Sequence, residues 1–190
     1  LVVVDTNFLL TLSKEEIRSG LFEAIKYGVA LDLDLFLFIK KNKDDLYNIN
    51  ILTEIIEWCC QIKTNIIIKD EKDNNIRNKL NFGHTIGHAI ESIYNIRHGE
   101  AVAYGMLCAA YLSRGNNTLD DNEFDEIVTL INHFDLPKII FDIEKILKQI
   151  SKDKKRINGK NNFILLNSIG NSYISDNVKI DLIKNSISNL

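Results

Sequence analysis

Apolar residues recur at helical spacing along most of the chain. Between residues 17 and 29 they fall on one face of a helix, and Ser13 followed by Glu16 forms a candidate capping box, so we predict a helix over about 13–31. Residues 32–48 have further helical character around an Asn/Asp-rich break. The same pattern predicts helices over the following ranges: 49–62, 74–94, 98–113, 119–134 and 139–150, with a last helix near the C-terminus. The helices over 13–31 and 49–62 suggest an antiparallel pair.

Two short apolar runs predict minor β-structure near the ends of the chain. Residues 1–6 are typical of a buried strand without a polar lead-in, so we expect the chain to begin inside a larger protein. Residues 163–166 and 173–174 predict a small strand pair. Because no repeat or flexible linker interrupts the pattern, the expected fold is one mainly α domain over residues 1–190.

Composition narrows the class of protein. The chain has 190 residues, 45% of them hydrophobic, and a formal net charge of -3, with acidic and basic residues mixed along its length. A chain of this kind can bury one core and has no basic face for nucleic acid. The three cysteines lack CxxC spacing, and neither a signal peptide nor an apolar run of the roughly 20 residues needed to cross a membrane is present. We expect a cytoplasmic protein that binds neither nucleic acid nor membranes.

The densest group of polar residues lies in the predicted helix 74–94. At 3.6 residues per turn, one face carries a guanidinium, an amide, two imidazoles and a carboxylate: Arg77, Asn81, His84, His88 and Glu91. Two histidines four residues apart can share a metal ion, but a catalytic zinc site needs a third protein ligand and an open position. Without further support, an HxxxH pair is more often ordinary helix surface.

Two glycines favour the metal interpretation of that helix. In a helix interior Gly83 and Gly87 would each cost roughly 1 kcal/mol relative to alanine, which implies close packing or close approach of a ligand. A second polar group surrounds Glu23 and Lys26. Its simplest interpretation is an exposed ion pair three residues apart, with little effect on stability.

Six strings together resemble one known family. In order they are DTNFLLTLS, SGLFEAIKYG, KTNIIIKDEKD, RNKLNFGHTIGHAIE, HGEAVAYGM and DKKRINGKNNFILL. Their order and spacing are similar to those of the C-terminal domain of 3-dehydroquinate synthases, over nearly the whole chain. By this resemblance Glu23, His84 and His98 hold a zinc ion, which cobalt could replace. His88, which helical spacing alone makes a ligand, is instead expected to face the substrate phosphate.

The resemblance also implies roles in binding and catalysis. Substrate is expected to contact Lys63, Arg77, Asn81, His88, and Lys154 or Lys155, with Arg77 gripping a carboxylate and one of the two adjacent lysines reaching the phosphate. Lys26, His88 and Asn81 are the expected catalytic residues. Phe8, Thr11 and Leu12 are expected to contact NAD from this side of a cleft.

The implied reaction converts 3-deoxy-D-arabino-heptulosonate 7-phosphate to 3-dehydroquinate in the shikimate pathway. It proceeds by transient oxidation with NAD, loss of phosphate, reduction and an intramolecular aldol closure, in a protein expected to be a homodimer. An N-terminal Rossmann-like domain that binds NAD is not in this sequence, so we expect the domain alone to be inactive. The alternatives are another sugar phosphate cyclase, such as a 2-deoxy-scyllo-inosose or 2-epi-5-epi-valiolone synthase, or a non-catalytic metal-binding remnant.

Overall fold

Helices make up most of the computed structural model, which describes residues 2–72, 76–152 and 162–190. The α-helices of these residues are α1 (Lys14–Leu31), α2 (Leu33–Lys41), α3 (Ile49–Lys69), α4 (His84–Tyr94), α5 (His98–Gly115), α6 (Asp121–Asn132), α7 (Ile143–Ser151) and α8 (Ile180–Ser188). Short 3-10 helices cover Thr6–Thr11, Lys43–Asp45 and Ile76–Asn81. Strands β1 (Phe163–Ser168) and β2 (Asn171–Ser175) form an antiparallel hairpin in which Leu165 pairs with Tyr173.

The predicted capping box starts α1. The Glu16 amide donates to Ser13 Oγ at 3.2 Å, and the Ser13 amide donates to the Glu16 carboxylate at 2.9 Å. These two bonds satisfy amides that have no partner inside the helix. Two apolar side chains of α1, Phe22 and Ile25, are fully buried in the core. The predicted helix over 13–31 is therefore confirmed to within one residue.

Helix α5 lies at the centre of the domain. Every residue from Gly99 to Ala110 is buried, and the helix contacts α1, α4, α6, α8 and β1. A helix that is apolar on all sides is stable only when other elements surround it. Its many small residues allow those elements to approach closely, so the position of α5 sets the positions of its neighbours.

Backbone atoms meet α5 at two glycines. A Cβ added at Gly99 would lie 2.0 Å from the Ser19 carbonyl oxygen of α1, and one added at Gly105 would lie 1.8 Å from the Gly83 carbonyl oxygen before α4. The Gly99 amide also donates to Ser19 Oγ at 3.0 Å. Such distances leave no room for any side chain. Gly99 and Gly105 therefore fix the separation of α5 from α1 and from the start of α4.

The predicted helix over 74–94 is wrong as a single element. The 3-10 helix Ile76–Asn81 is followed by a turn at Gly83, whose φ of +76° lies in the left-handed region, and α4 begins only at His84. Glycine adopts this conformation without strain, and its carbonyl packs against α5. Gly83 is therefore not inside a helix. The close packing expected at Gly87 is present, since a Cβ there would lie 3.0 Å from the Ala101 carbonyl oxygen.

Two further predictions need correction. Residues 2–5 are not a buried strand: Val2, Val3 and Val4 are exposed, and Asp5 caps the 3-10 helix that follows by accepting from the Asn7 amide. The helix predicted from residue 139 begins four residues later, because Asp142 caps α7. The helix predicted over 49–62 continues to Lys69. The other predicted helices and the hairpin are present. No helix in the described ranges combines the length and apolar character needed to cross a membrane.

We predict that Gly99→Ala destabilises the domain by ~1–3 kcal/mol, the range usual for overpacking. The added methyl group would force α1 and α5 apart at Ser19. Urea unfolding followed by circular dichroism measures the free energy of unfolding. Gly20→Ala is the matched control, because nothing lies within 4 Å of a Cβ added at this glycine of α1. We expect it to stabilise the domain by up to about 1 kcal/mol; equal stabilities for the two variants would contradict the close approach.

Candidate metal centre

His84 is the first residue of α4, and its ring is fixed by the turn before it. Its Nδ1 lies 3.0 Å from the Phe82 carbonyl oxygen, which can only accept a hydrogen bond. In the neutral imidazole Nδ1 therefore carries the proton, and Nε2 keeps a free lone pair. Burial, with the nearby Lys26 charge, lowers the pKa of His84 to about 4. His84 is thus neutral at physiological pH, which is the form that binds metals.

His98 is the first residue of α5, and its Nδ1 also faces a hydrogen-bond acceptor. Its Nδ1 lies 2.9 Å from Glu91 Oε2, and an ionised carboxylate also only accepts. Nε2 of His98 is then the nitrogen with the lone pair. It lies 3.4 Å from Glu23 Oε1, while Nε2 of His84 lies 3.7 Å from the same oxygen. Three donor atoms from α1, α4 and α5 therefore converge.

The two oxygens of Glu23 have different surroundings. Oε2 accepts a hydrogen bond from Lys26 Nζ at 2.7 Å, whereas Oε1 is buried and has no hydrogen-bond partner among the described residues. Burial raises the pKa of Glu23, but the charge and hydrogen bond of Lys26 outweigh it, with help from the two histidines, so the net pKa is lowered. Glu23 is therefore ionised, and its Oε1 points at both histidine nitrogens without a hydrogen bond.

These distances fit a metal ion. Ligands about 2.1 Å from a tetrahedral metal lie about 3.4 Å apart, close to the 3.4 and 3.7 Å that separate Glu23 Oε1 from the two Nε2 atoms. A buried carboxylate oxygen without a hydrogen bond is also unfavourable unless a cation or donor compensates it. One carboxylate and two imidazoles make a donor set suited to zinc or cobalt.

His88 lies beside this group. Its ring centroid is 5.0 Å from that of His84 and 5.8 Å from that of His98, and one nitrogen from each of the three rings lies within 4.8 Å of the others. The two rings are close together, as the helical spacing of His84 and His88 predicts. The assignment of the metal to Glu23, His84 and His98 remains a prediction, which the orphaned Glu23 oxygen supports.

Glu23 also lines a cleft of about 310 Å³ between α1, α3 and the first 3-10 helix. Glu23, Tyr27, Cys59, Lys63 and Leu12 are among the residues that line it. Most of the other lining side chains are aliphatic. A small molecule in this cleft would therefore contact a mainly apolar wall, with the Glu23 carboxylate and the Lys63 ammonium group among its polar partners.

Lys26 is not the exposed ion-pair partner that spacing suggested. It is 3% exposed, and burial lowers its pKa despite the Glu23 carboxylate, with a further contribution from the Lys63 charge. A buried ammonium group beside a carboxylate has fixed donors. Lys26 thus belongs to the centre of the site, whereas Lys63 lies at the exposed wall of the cleft.

Two residues predicted to bind substrate, Arg77 and Asn81, lie before α4 rather than on it. Arg77 and Asn81 belong to the 3-10 helix Ile76–Asn81, which contacts α1 and α3. The Arg77 amide donates to Asp70 at 3.0 Å, and its guanidinium donates to the Glu71 carbonyl at 3.3 Å. The break at Gly83 therefore places Arg77 and Asn81 off the helical face that carries His84 and His88.

The remaining predicted site residues are those expected to contact NAD and the two adjacent lysines. Of the residues expected to contact NAD, Leu12 lines the cleft, Phe8 is 74% exposed, and Thr11 Oγ1 donates to the Phe8 carbonyl at 3.0 Å. Lys154 and Lys155 lie outside the described residues.

Sequence reasoning missed a buried ion pair beside the site. Arg18 Nη2 lies 2.6 Å from Glu100 Oε1, and the two side chains are 19% and 4% exposed. The pair joins α1 to α5, five residues before Glu23 and two after His98. Glu100 interrupts an apolar helix, and a charged residue in such a position is normally paired. This signal predicts a partner for Glu100 but does not identify Arg18.

Comparison with known proteins shows the family to which the chain belongs. A family model described as 3-dehydroquinate synthase C-terminal matches residues 20–156. The chain belongs to this family. The 3-dehydroquinate synthase of Thermoanaerobacter pseudethanolicus is 40% identical over 191 residues, which cover 97% of this chain and 54% of the relative. That of Clostridium beijerinckii is 41% identical over 181 residues, with 92% and 51% covered. The chain spans about half the length of these 3-dehydroquinate synthases.

Solved structures show the same fold. A 2-deoxy-scyllo-inosose synthase, complexed with carbaglucose-6-phosphate, NAD+ and Co2+, has a TM-score of 0.82 and 26% identity, over 97% of this chain and 55% of its own. A 2-epi-5-epi-valiolone synthase from Streptomyces hygroscopicus, with NAD+ and Zn2+ bound, has a TM-score of 0.87 at 20% identity, over 97% and 54%. The mainly α 3-dehydroquinate synthase-like fold predicted from the sequence is confirmed.

We predict that His84→Ala abolishes binding of one zinc ion, whereas His88→Ala leaves it largely intact. His84 supplies an oriented Nε2 that faces Glu23, and His88 is assigned to substrate phosphate. Metal content after dialysis, measured by mass spectrometry of the purified variants, tests this division. Glu23→Ala should behave like His84→Ala. Equal loss of zinc from the His84 and His88 variants would instead show that His88 is also a ligand.

Proposed function

We propose that this chain is the metal- and substrate-binding domain of a 3-dehydroquinate synthase. The reaction converts 3-deoxy-D-arabino-heptulosonate 7-phosphate to 3-dehydroquinate and phosphate, in the shikimate pathway. The observation that carries the proposal is the convergence of Glu23 Oε1 with the Nε2 atoms of His84 and His98. Glu23 also lines the cleft between α1 and α3. Identity near 40% to relatives named 3-dehydroquinate synthase supports this substrate over others.

Glu23, His84 and His98 would hold the metal in this proposal. When bound, a zinc ion supplies Lewis-acid polarisation of a substrate hydroxyl, and NAD supplies a reversible hydride acceptor. Both Nδ1 atoms are already engaged, so the two rings present Nε2 without rearrangement. Preorganisation of this kind lowers the cost of reaching the reactive geometry.

Lys26 is the residue we assign to orient the reacting hydroxyls. Its ammonium group donates one hydrogen bond to Glu23 Oε2. Two N–H donors therefore remain on a buried group whose rotation is restricted. Its burial excludes much of the water that would screen its charge. Lys63, at the exposed wall, adds a second positive charge for an anionic substrate.

Arg77, Asn81 and His88 complete the proposed substrate contacts. A guanidinium can bind a carboxylate through two parallel hydrogen bonds. The Arg77 guanidinium donates to a backbone carbonyl in this structure, and a substrate carboxylate would replace that acceptor. His88 and Asn81 would position the phosphate, and Lys154 or Lys155 would assist them. The departing phosphate itself can accept the proton removed during elimination, so His88 needs only to orient it.

A second cyclase activity is the alternative. The likeness to a 2-deoxy-scyllo-inosose synthase at 26% identity favours a related sugar phosphate as substrate. The two possibilities differ in one chemical group, since the heptulosonate phosphate carries a carboxylate and glucose 6-phosphate does not. The role assigned to Arg77 therefore distinguishes them.

We predict phosphate release from the heptulosonate phosphate by the full-length protein, dependent on NAD and abolished by a metal chelator. Glucose 6-phosphate should release none. Arg77→Ala should lower kcat/KM by about 10-fold or more, the loss expected for a charged hydrogen-bond pair of ~1.5–3 kcal/mol. Lys79→Ala is the control, because Lys79 lies on the same 3-10 helix without an assigned contact. Turnover of glucose 6-phosphate alone would overturn the assignment.

We predict that residues 1–190 alone bind zinc but release no phosphate. The residues assigned to NAD here, Phe8, Thr11 and Leu12, cover one edge of a cofactor, and the relatives are about twice as long. Without hydride acceptance, the C–H bond next to the departing phosphate is not acidified. Isothermal titration with NAD should show no saturable binding at micromolar concentrations. Steady phosphate release by this chain would contradict the need for a second domain.

A further inference from the structure

The connection between α4 and α5 brings a carboxylate to His98. Helix α4 ends at Tyr94, Asn95 takes the left-handed conformation with φ 49° and ψ 42°, and α5 begins at His98. Asparagine adopts this conformation more readily than most residues, and its amide donates to the Glu91 carbonyl at 3.1 Å. The chain therefore reverses within three residues and sets the start of α5 beside the last turn of α4.

Glu91 Oε2 lies 2.9 Å from His98 Nδ1 as a result. An ionised carboxylate has no proton to give, so the hydrogen bond requires the proton on Nδ1. Nε2 is then left as the acceptor, and it is this atom that lies 3.4 Å from Glu23 Oε1. The contact selects both the tautomer and the orientation of the ring.

The two histidines of the proposed metal site differ in how firmly they are held. The side chain of His84 is 12% exposed, and a backbone carbonyl fixes its Nδ1. The His98 side chain is 43% exposed and stands at the first position of its helix. Without a partner on Nδ1, an exposed imidazole would populate both tautomers and several ring orientations. The orientation of His98 therefore depends far more on one side-chain contact.

We propose that Glu91 is a positioning residue that holds His98 in the Nδ1-protonated tautomer with Nε2 directed at Glu23. The proposal rests on the metal site assigned above and adds a residue that does not touch the metal. A carboxylate that accepts from a ligand histidine also makes the imidazole a better donor to the metal. Glu91 would therefore contribute to metal affinity through His98.

Metal affinity of the 190-residue chain provides the first test. Zinc binding is measured by competition with a chromophoric chelator for the wild-type chain, Glu91→Ala and Glu91→Gln. We expect a loss of about 10- to 100-fold for Glu91→Ala, the usual effect of removing such a partner. The glutamine oxygen can still accept from Nδ1, so Glu91→Gln should lose less. Glu144→Ala is the matched control, because it removes an exposed carboxylate that is paired with Lys184 at 2.8 Å.

A second test needs no metal. Long-range 1H–15N spectra of the imidazoles, recorded at alkaline pH where a free imidazole is neutral, report the tautomer of each ring. We expect the Nδ1-protonated form of His98 in the wild-type chain and in Glu91→Gln, and a mixture in Glu91→Ala. His84 should keep its tautomer in all three, which shows that the fold is intact.

Two results would overturn the proposal. One is wild-type zinc affinity in Glu91→Ala when His98→Ala loses binding, and the other is an unchanged His98 tautomer in Glu91→Ala. Failure of the proposed metal site has a different signature. In that case the wild-type chain and all variants would bind zinc equally weakly, while the tautomer of His98 would still respond to Glu91.

Discussion

The close approach of α5 to α1 and α4 is the constraint on which the rest of the structure depends. It occurs at Gly99, which meets the Ser19 carbonyl, and at Gly105, which meets the Gly83 carbonyl. Each contact adjoins a donor of the candidate metal centre: His98 precedes Gly99, and His84 follows Gly83. Core packing thus sets the spacing of the donors. A methyl group at Gly99 would disturb the position of His98 as directly as it would disturb the core.

The charged residues near these contacts mainly fix the relative positions of helices and side chains. The Arg18–Glu100 pair is largely buried, and such pairs often add little net stability because desolvation offsets their attraction. The pair ties α1 to α5 close to the two helix positions that carry Glu23 and His98. The Lys26–Glu23 pair has a second consequence. By occupying Oε2, Lys26 leaves Oε1 as the carboxylate oxygen directed at the histidines.

Local signals predicted the helices well because their causes are local. The Ser13–Glu16 box and the apolar run of α5 consist of residues close in sequence. The break before α4 was missed because Gly83 owes its left-handed conformation to packing against α5, which the pattern of residues 74–94 does not contain. Spacing alone grouped His84 with His88. Glu23 and His98 lie on other helices, so only the family resemblance joined them to the site. The resemblance did not reveal Glu91 as the partner of His98, because that contact depends on the turn at Asn95.

Helix dipoles add a further condition on what the site accepts. His84 and His98 are the first residues of α4 and α5, so the positive ends of two helices face the cluster, and Lys26 adds a full charge. The carboxylates of Glu23 and Glu91 offset these charges, so the site is close to electrically balanced before a metal ion binds. A divalent cation would add two positive charges to this balanced group. An anionic ligand beside the cation would compensate them, and the N-terminus of a helix is a common anion-binding position. In the proposed function the substrate phosphate or carboxylate would be that anion, so binding of the metal and of the substrate would support each other.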